Sequence, residues 1–254
     1  MHREILSQGY PVTYIHGFTQ TGKTWMPFLR ELTTPHQATL IDAPGHGDSH
    51  FASLTLEDCG NEIAQEMKPG ILIGYSMGAR MALHTAVQHP LAVKHLVLIS
   101  GTAGITDDAE RLARKTSDDS LADHIEQVGV PAFIDEWLAL PMFAGLDESN
   151  NNKSERLRNT TSGLADSLRF AGTGTQKSLW TKLSTFSPPV TLITGALDIK
   201  FTEIAIEMTQ LFPQAVHHVV PDSGHTVHVE NQTACARIID DVIRQCSATA
   251  RPTA

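Results

Sequence analysis

The chain has 254 residues, 41% hydrophobic and 19% charged, a composition that excludes disordered, collagen-like and coiled-coil proteins. Its 28 acidic and 19 basic residues leave a formal charge of −9. With no run of Lys or Arg this disfavours nucleic acid as a partner, while leaving room for a local cationic pocket.

Short β-branched and apolar runs alternate with amphipathic stretches, the pattern of an α/β protein with a mostly parallel sheet flanked by helices. In chain order, Arg3 to Leu6 reads as a weak strand and Val12 to Ile15 as a strong one, followed by a helix over Gly22 to Leu32. Ala38 to Ile41 is the next strand, before helix Leu56 to Met67. Strand Ile71 to Gly74 leads into helix Met77 to Gln88, and His95 to Ser100 is a further strand. Residues 102–187 then break the alternation. They carry amphipathic segments at Ala109 to Lys115, Leu121 to Val128, Ala132 to Leu138 and Ser154 to Phe170, without a convincing strand. Alternation resumes with strand Val190 to Thr194, helix Thr202 to Leu211, strand Val216 to Val220 and helix Glu230 to Gln245. Residues 1–101 and 188–246 are thus expected to form one core, with 102–187 a helical lid over the carboxyl ends of the strands, where open α/β sheets bind ligands. The small, polar stretch 247–254 is expected to be a disordered tail.

Cys59, Cys235 and Cys246 are widely spaced and contain no Cys-x-x-Cys pair, so neither a disulfide framework nor a zinc site is expected. A reducing, cytoplasmic location fits this usage. No segment has the apolar character of a signal peptide or a membrane span.

Strand Ile71 to Gly74 runs into Gly74-Tyr75-Ser76-Met77-Gly78 and then into a helix-forming stretch. A serine between a strand and a helix, with glycine two residues to either side, is a nucleophile elbow. Serine needs a histidine to take its proton and a carboxylate to hold the imidazole tautomer. Asp198 follows the strand Val190 to Thr194, and His225 follows the strand Val216 to Val220, giving the chain order Ser, Asp, His expected of an α/β-hydrolase arrangement. Taken alone, Asp198 also reads as a helix N-cap and His225 as one of 13 histidines. The neighbouring His217 and His218 alternate across a strand, so no metal site is expected. Strand Val12 to Ile15 ends in His16-Gly17-Phe18, which brings the Phe18 amide opposite that of Met77 as a candidate oxyanion hole.

These motifs, with the Pro44-Gly45-His46-Gly47 loop, resemble the α/β-hydrolase superfamily over nearly the whole chain. The closer resemblance is to the 2-succinyl-6-hydroxy-2,4-cyclohexadiene-1-carboxylate synthases of menaquinone (vitamin K2) biosynthesis. It is carried by Arg80 after the elbow, Glu110-Arg111-Leu112-Ala113-Arg114, Trp137, Pro141, Phe143, Leu157-Arg158-Asn159, Gly172-Thr173-Gly174-Thr175-Gln176, and Ile199-Lys200-Phe201. The resemblance implies a cofactor-free carbon–oxygen lyase that eliminates pyruvate from 2-succinyl-5-enolpyruvyl-6-hydroxy-3-cyclohexene-1-carboxylate. It implies Ser76, Asp198 and His225 as the base relay, and Arg80, Arg114, Arg158, Trp137 and Phe143 as contacts to a small polycarboxylate substrate. A monomer or weak homo-oligomer is expected. The triad serves a serine hydrolase equally well, either an esterase or a carbon–carbon bond hydrolase. A non-catalytic receptor could also retain it.

Overall fold

The computed structural model describes residues 1–50 and 53–249. Seven strands form one sheet: β1 (Arg3–Leu6), β2 (Tyr10–Ile15), β3 (His36–Ile41), β4 (Gly70–Tyr75), β5 (Val93–Ile99), β6 (Val190–Gly195) and β7 (Ala215–Val220). Their spatial order is β1-β3-β2-β4-β5-β6-β7. Only β1 is antiparallel to its neighbour. The helices are α1 (Met26–Leu29), α2 (Leu56–Glu66), α3 (Met77–Gln88), α4 (Asp108–Leu138), α5 (Lys153–Arg156), α6 (Thr161–Ala171), α7 (Trp180–Leu183), α8 (Ile199–Leu211), α9 (Val227–Glu230) and α10 (Gln232–Thr249).

The central strands are apolar throughout because both sheet faces are covered. In β4, Ile71, Ile73 and Tyr75 pack toward α10, beside Ile239 and Ile243. Leu72, offset by the two-residue period, packs on the opposite face with Ile63, Met81 and Leu83 of α2 and α3. Each such fully buried aliphatic side chain contributes about 2 kcal/mol. A third cluster stands apart from the sheet, joining Ala122, Ile125, Phe133 and Ile134 of α4 to Leu164 and Leu168 of α6.

Several elements differ from the sequence expectation. The helix expected over Gly22 to Leu32 is a 3₁₀ turn, Gly22–Trp25, followed by the single turn α1. Pro27 at the start of α1 supplies no amide to carry the first turn onward. Three expected segments of the 102–187 region are one 31-residue helix, α4, capped by Asp107 and bent at Gly129 (φ 76°, ψ 166°) just before Pro131. The expected run from Ser154 to Phe170 is interrupted, because the Thr160 side chain caps α6 through the Gly163 amide. At the C-terminus, Ser247–Thr249 continue α10 rather than fraying. The rest of the expected tail lies outside the described residues.

Candidate active site

Ser76 stands between the end of β4 and the start of α3 with φ 52° and ψ −109°, backbone angles that cost a non-glycine residue strain. The turn is closed by backbone packed on backbone. A Cβ on Gly74 would lie 2.3 Å from the Gly78 carbonyl oxygen, and one on Gly78 would lie 2.3 Å from that of Ile15. This is why the motif carries glycine at both positions.

The carboxyl ends of β6 and β7 bring the other two groups to the serine. His225 Nε2 is 2.9 Å from Ser76 Oγ, and His225 Nδ1 is 2.7 Å from Asp198 Oδ2. The Asp198 contact assigns the proton to Nδ1 and leaves Nε2 free to accept from the serine hydroxyl. Asp198 is also the N-cap of α8, accepting from the Phe201 amide. The one carboxylate thus caps α8 and bonds His225 at the same time. The imidazole is 3% exposed and is packed against Phe201 and Tyr75, with ring centroids at 4.6 and 5.5 Å.

The histidine loop has an anchor that sequence reasoning missed. Glu230 accepts from the amides on both sides of His225, Gly224 at 2.7 Å and Thr226 at 2.8 Å, and from the Thr226 hydroxyl at 2.8 Å. Ser100 Oγ donates to the His225 carbonyl at 2.9 Å. The only sequence signal was a glutamate five residues after the histidine, at the end of a short helical turn.

Phe18 and Met77 both line the cavity that opens over Ser76. Met77 begins α3, so its amide has no carbonyl to meet within the helix. The turn carrying Phe18 is held by its other amides: Gly17 donates to Gln20 Oε1 and Thr19 to His46 Nε2. His16 completes the support, receiving the Ala43 amide on Nε2 at 2.9 Å while its Nδ1 donates to the Gly17 carbonyl at 2.8 Å. Burial lowers His16 to about 4 and His46 to about 3, so both are neutral at physiological pH and Nε2 of each is available as an acceptor.

The cavity measures about 940 Å³ and lies between the strand ends and the α4–α6 region. Its cations are Arg80, Arg114 and Lys200. Arg80 sits on α3 one turn after Ser76, is 8% exposed, and donates from Nη1 to the Ala171 carbonyl at 2.8 Å. Burial, reinforced by nearby Arg114, lowers it to about 10, which leaves it a cation at neutral pH. Arg114 donates to Asp118 at 2.8 Å, and that buried carboxylate also accepts from the Gly174 amide at 2.9 Å. Trp137 lines the same cavity, and its buried indole N–H has no hydrogen-bond partner among the described residues.

Two expected contacts are not brought to this cavity. Arg158 bonds Glu155 at 2.9 Å and Asp48 at 3.1 Å on the exterior. The two acids satisfy its guanidinium there, so it does not turn inward. Phe143 lies behind the wall, packed against Trp137 at 5.8 Å and under the Arg156 guanidinium at 5.8 Å.

A serine on a strained elbow, an acid after β6 and a histidine after β7 are the arrangement of an α/β hydrolase. The family model described as the alpha/beta hydrolase family matches residues 14–238. A protein of Enterobacter sp. (strain 638) named 2-succinyl-6-hydroxy-2,4-cyclohexadiene-1-carboxylate synthase is 30% identical over 248 residues, 93% of this chain and 93% of its own. A Bacillus subtilis (strain 168) protein that carries the same name provisionally is 36% identical over 247 residues, 91% of this chain and 89% of its own. The structure of MenH from S. aureus aligns with a TM-score of 0.89 at 26% identity, covering 96% of this chain and 98% of that one. The chain belongs to the α/β-hydrolase family, and within it to the 2-succinyl-6-hydroxy-2,4-cyclohexadiene-1-carboxylate synthases.

Proposed function

We infer that the protein is a carbon–oxygen lyase that eliminates pyruvate from 2-succinyl-5-enolpyruvyl-6-hydroxy-3-cyclohexene-1-carboxylate to give 2-succinyl-6-hydroxy-2,4-cyclohexadiene-1-carboxylate. The observation that carries this reading is a Ser76–His225–Asp198 relay opening into a cavity that holds a buried, protonated arginine one helical turn from the serine. A neutral ester offers such a group one carbonyl acceptor and no charge, whereas a carboxylate both neutralises it and pairs with it through two parallel hydrogen bonds.

In this mechanism Ser76 Oγ removes a ring proton as its own proton passes to His225 Nε2, and Asp198 stabilises the imidazolium that forms. The electron pair left by the C–H bond moves into conjugation with the succinyl carbonyl, whose oxygen gains negative charge. The Phe18 and Met77 amides receive that charge. As the pair returns to form a new ring double bond, the existing ring double bond shifts one position toward the carbon that bears the enolpyruvyl oxygen, that carbon–oxygen bond breaks, and the enolate that leaves takes a proton from the relay to become pyruvate. No acyl-enzyme forms.

Arg80 and Arg114 take two of the substrate's three carboxylates, and Trp137 offers its indole N–H. Residues 102–187 act as a lid over the site, and Phe143 supports Trp137 from behind. Three free, buried cysteines fit a cytoplasmic enzyme. The test is pyruvate release from enzymatically supplied precursor. Turnover by the wild-type chain and its loss in Ser76→Ala support the assignment. Cleavage of neutral short-chain esters without pyruvate release would instead make it a hydrolase.

A further inference from the structure

Arg156 is the largest charged side chain sealed inside the protein, at 1% exposure. Its guanidinium meets no carboxylate among the described residues. The neighbouring Glu155 is directed instead to Arg158 and to the Thr21 hydroxyl. Arg156 donates to three neutral oxygens: the Asn151 carbonyl at 2.9 Å, the Phe18 carbonyl at 3.4 Å, and Thr19 Oγ1. Burial lowers it only to about 10, so the charge persists at neutral pH. An unneutralised buried cation is costly to keep, and features of that kind are expected where function requires them.

We infer that Arg156 is a positioning residue for the oxyanion turn, clamping Phe18 and Thr19 from the lid side and setting a fixed positive charge behind the developing oxyanion. The inference rests on the reading that the Phe18 amide receives that charge. The residues it grips explain the need for a clamp. Thr19 is held at φ 68°, a conformation that β-branched residues avoid, so the turn is strained and needs outside support. Asn159 adds to the grip, donating to the Thr19 carbonyl at 2.6 Å and accepting the Gly47 amide at 2.9 Å. Residues 151–159 thus connect the lid to the oxyanion turn directly. Because the guanidinium is bound to protein oxygens rather than directed at the substrate cavity, its effect falls on the transition state more than on substrate binding.

The test compares Arg156→Met and Arg156→Lys with the wild-type chain in two measurements. In the pyruvate-release assay, Arg156→Met is expected to lower kcat about 100-fold with KM within about twofold. Arg156→Lys, which keeps the charge but not the fork, is expected to recover part of that loss. In amide hydrogen exchange of the unliganded protein, the peptide covering residues 16–20 is expected to exchange about tenfold faster in Arg156→Met. Thr19→Ala removes one partner while leaving the arginine in place, and is expected to shift both readouts in the same direction by a smaller factor. It serves as the test if Arg156→Met does not fold.

Unchanged exchange in a folded variant overturns the clamp whatever the rate. A raised KM with unchanged kcat overturns it too, by placing the guanidinium on the substrate itself. A wild-type chain that releases no pyruvate overturns the functional reading alone, because the exchange measurement still decides the role of Arg156.

Discussion

Arg156 and Arg158 stand two residues apart and occupy opposite environments: Arg156 is buried against the Phe18–Thr19 turn, while Arg158 lies outside between Glu155 and Asp48. The break after α5 separates them, since Arg156 is its last helical residue and Arg158 lies in the turn leading to Thr160. Substituting Arg158 therefore has little effect on catalysis. Arg158→Ala should leave kcat/KM within about twofold and, as a loss of partly exposed ion pairs, cost no more than about 1 kcal/mol of stability. Arg80→Ala should lower kcat/KM at least 30-fold, a loss of about 2 kcal/mol of transition-state stabilisation. Steady-state kinetics of the two variants side by side check both statements. Equal effects would remove the distinction.

Glu230 offers a test of how His225 is held. Its two carboxylate oxygens accept from both amides flanking His225. Glu230→Gln keeps the shape but turns an NH₂ group toward one of those donors, so even the isosteric change leaves a buried group without its bond. We expect kcat to fall about tenfold in Glu230→Gln and further in Glu230→Ala, with KM little changed. Thermal melting should show a loss of about 1 to 3 kcal/mol in the glutamine variant. A glutamine variant with wild-type kcat would show that Ser100 and packing suffice to hold the loop.

Acid should destabilise the protein well before its carboxylates titrate. Burial lowers His16 to about 4, and His46 and His228 to about 3; in the unfolded chain each returns to about 6.5. Above pH 6.5 these groups are neutral in both states and contribute nothing to the pH dependence. As the pH falls below 6.5 the unfolded chain takes up protons that the folded chain refuses, so stability falls with pH down to about 4 for His16 and about 3 for His46 and His228. The slope is at most about 1.4 kcal/mol per pH unit for each group. Melting temperatures measured from pH 7 to pH 4 should decline steeply, and His46→Gln, whose side-chain amide reaches the Nε2 position and keeps an acceptor for the Thr19 amide, should flatten the decline. A flat profile in the wild-type chain would contradict the burial of these rings as neutral groups.

Much of the candidate site was legible in the sequence because its residues follow strand ends at positions set by local chemistry. Gly74 and Gly78 mark the elbow through a backbone approach that no other residue permits. Asp198 and His225 each follow an apolar run short enough to be a strand. Residues 102–187 were legible only as helical. Whether α5 and α6 are one helix or two depended on Thr160 acting as a cap. Which of two nearby arginines faces inward depended on tertiary partners, Asp48 on one side and Thr19 on the other, that lie more than a hundred residues away. Glu230 escaped notice for the same reason, since its value lies in amides that converge on it only in the folded loop.

The central claim is that Ser76 initiates an elimination. The most direct measurement is pyruvate release from enzymatically supplied precursor by the wild-type chain and by Ser76→Ala at matched concentration. Rapid release by the wild type is expected, with a loss of at least 1,000-fold in kcat for the variant, in keeping with removal of one member of a triad. Ordinary turnover by Ser76→Ala, or ester cleavage without pyruvate from the wild type, would contradict it.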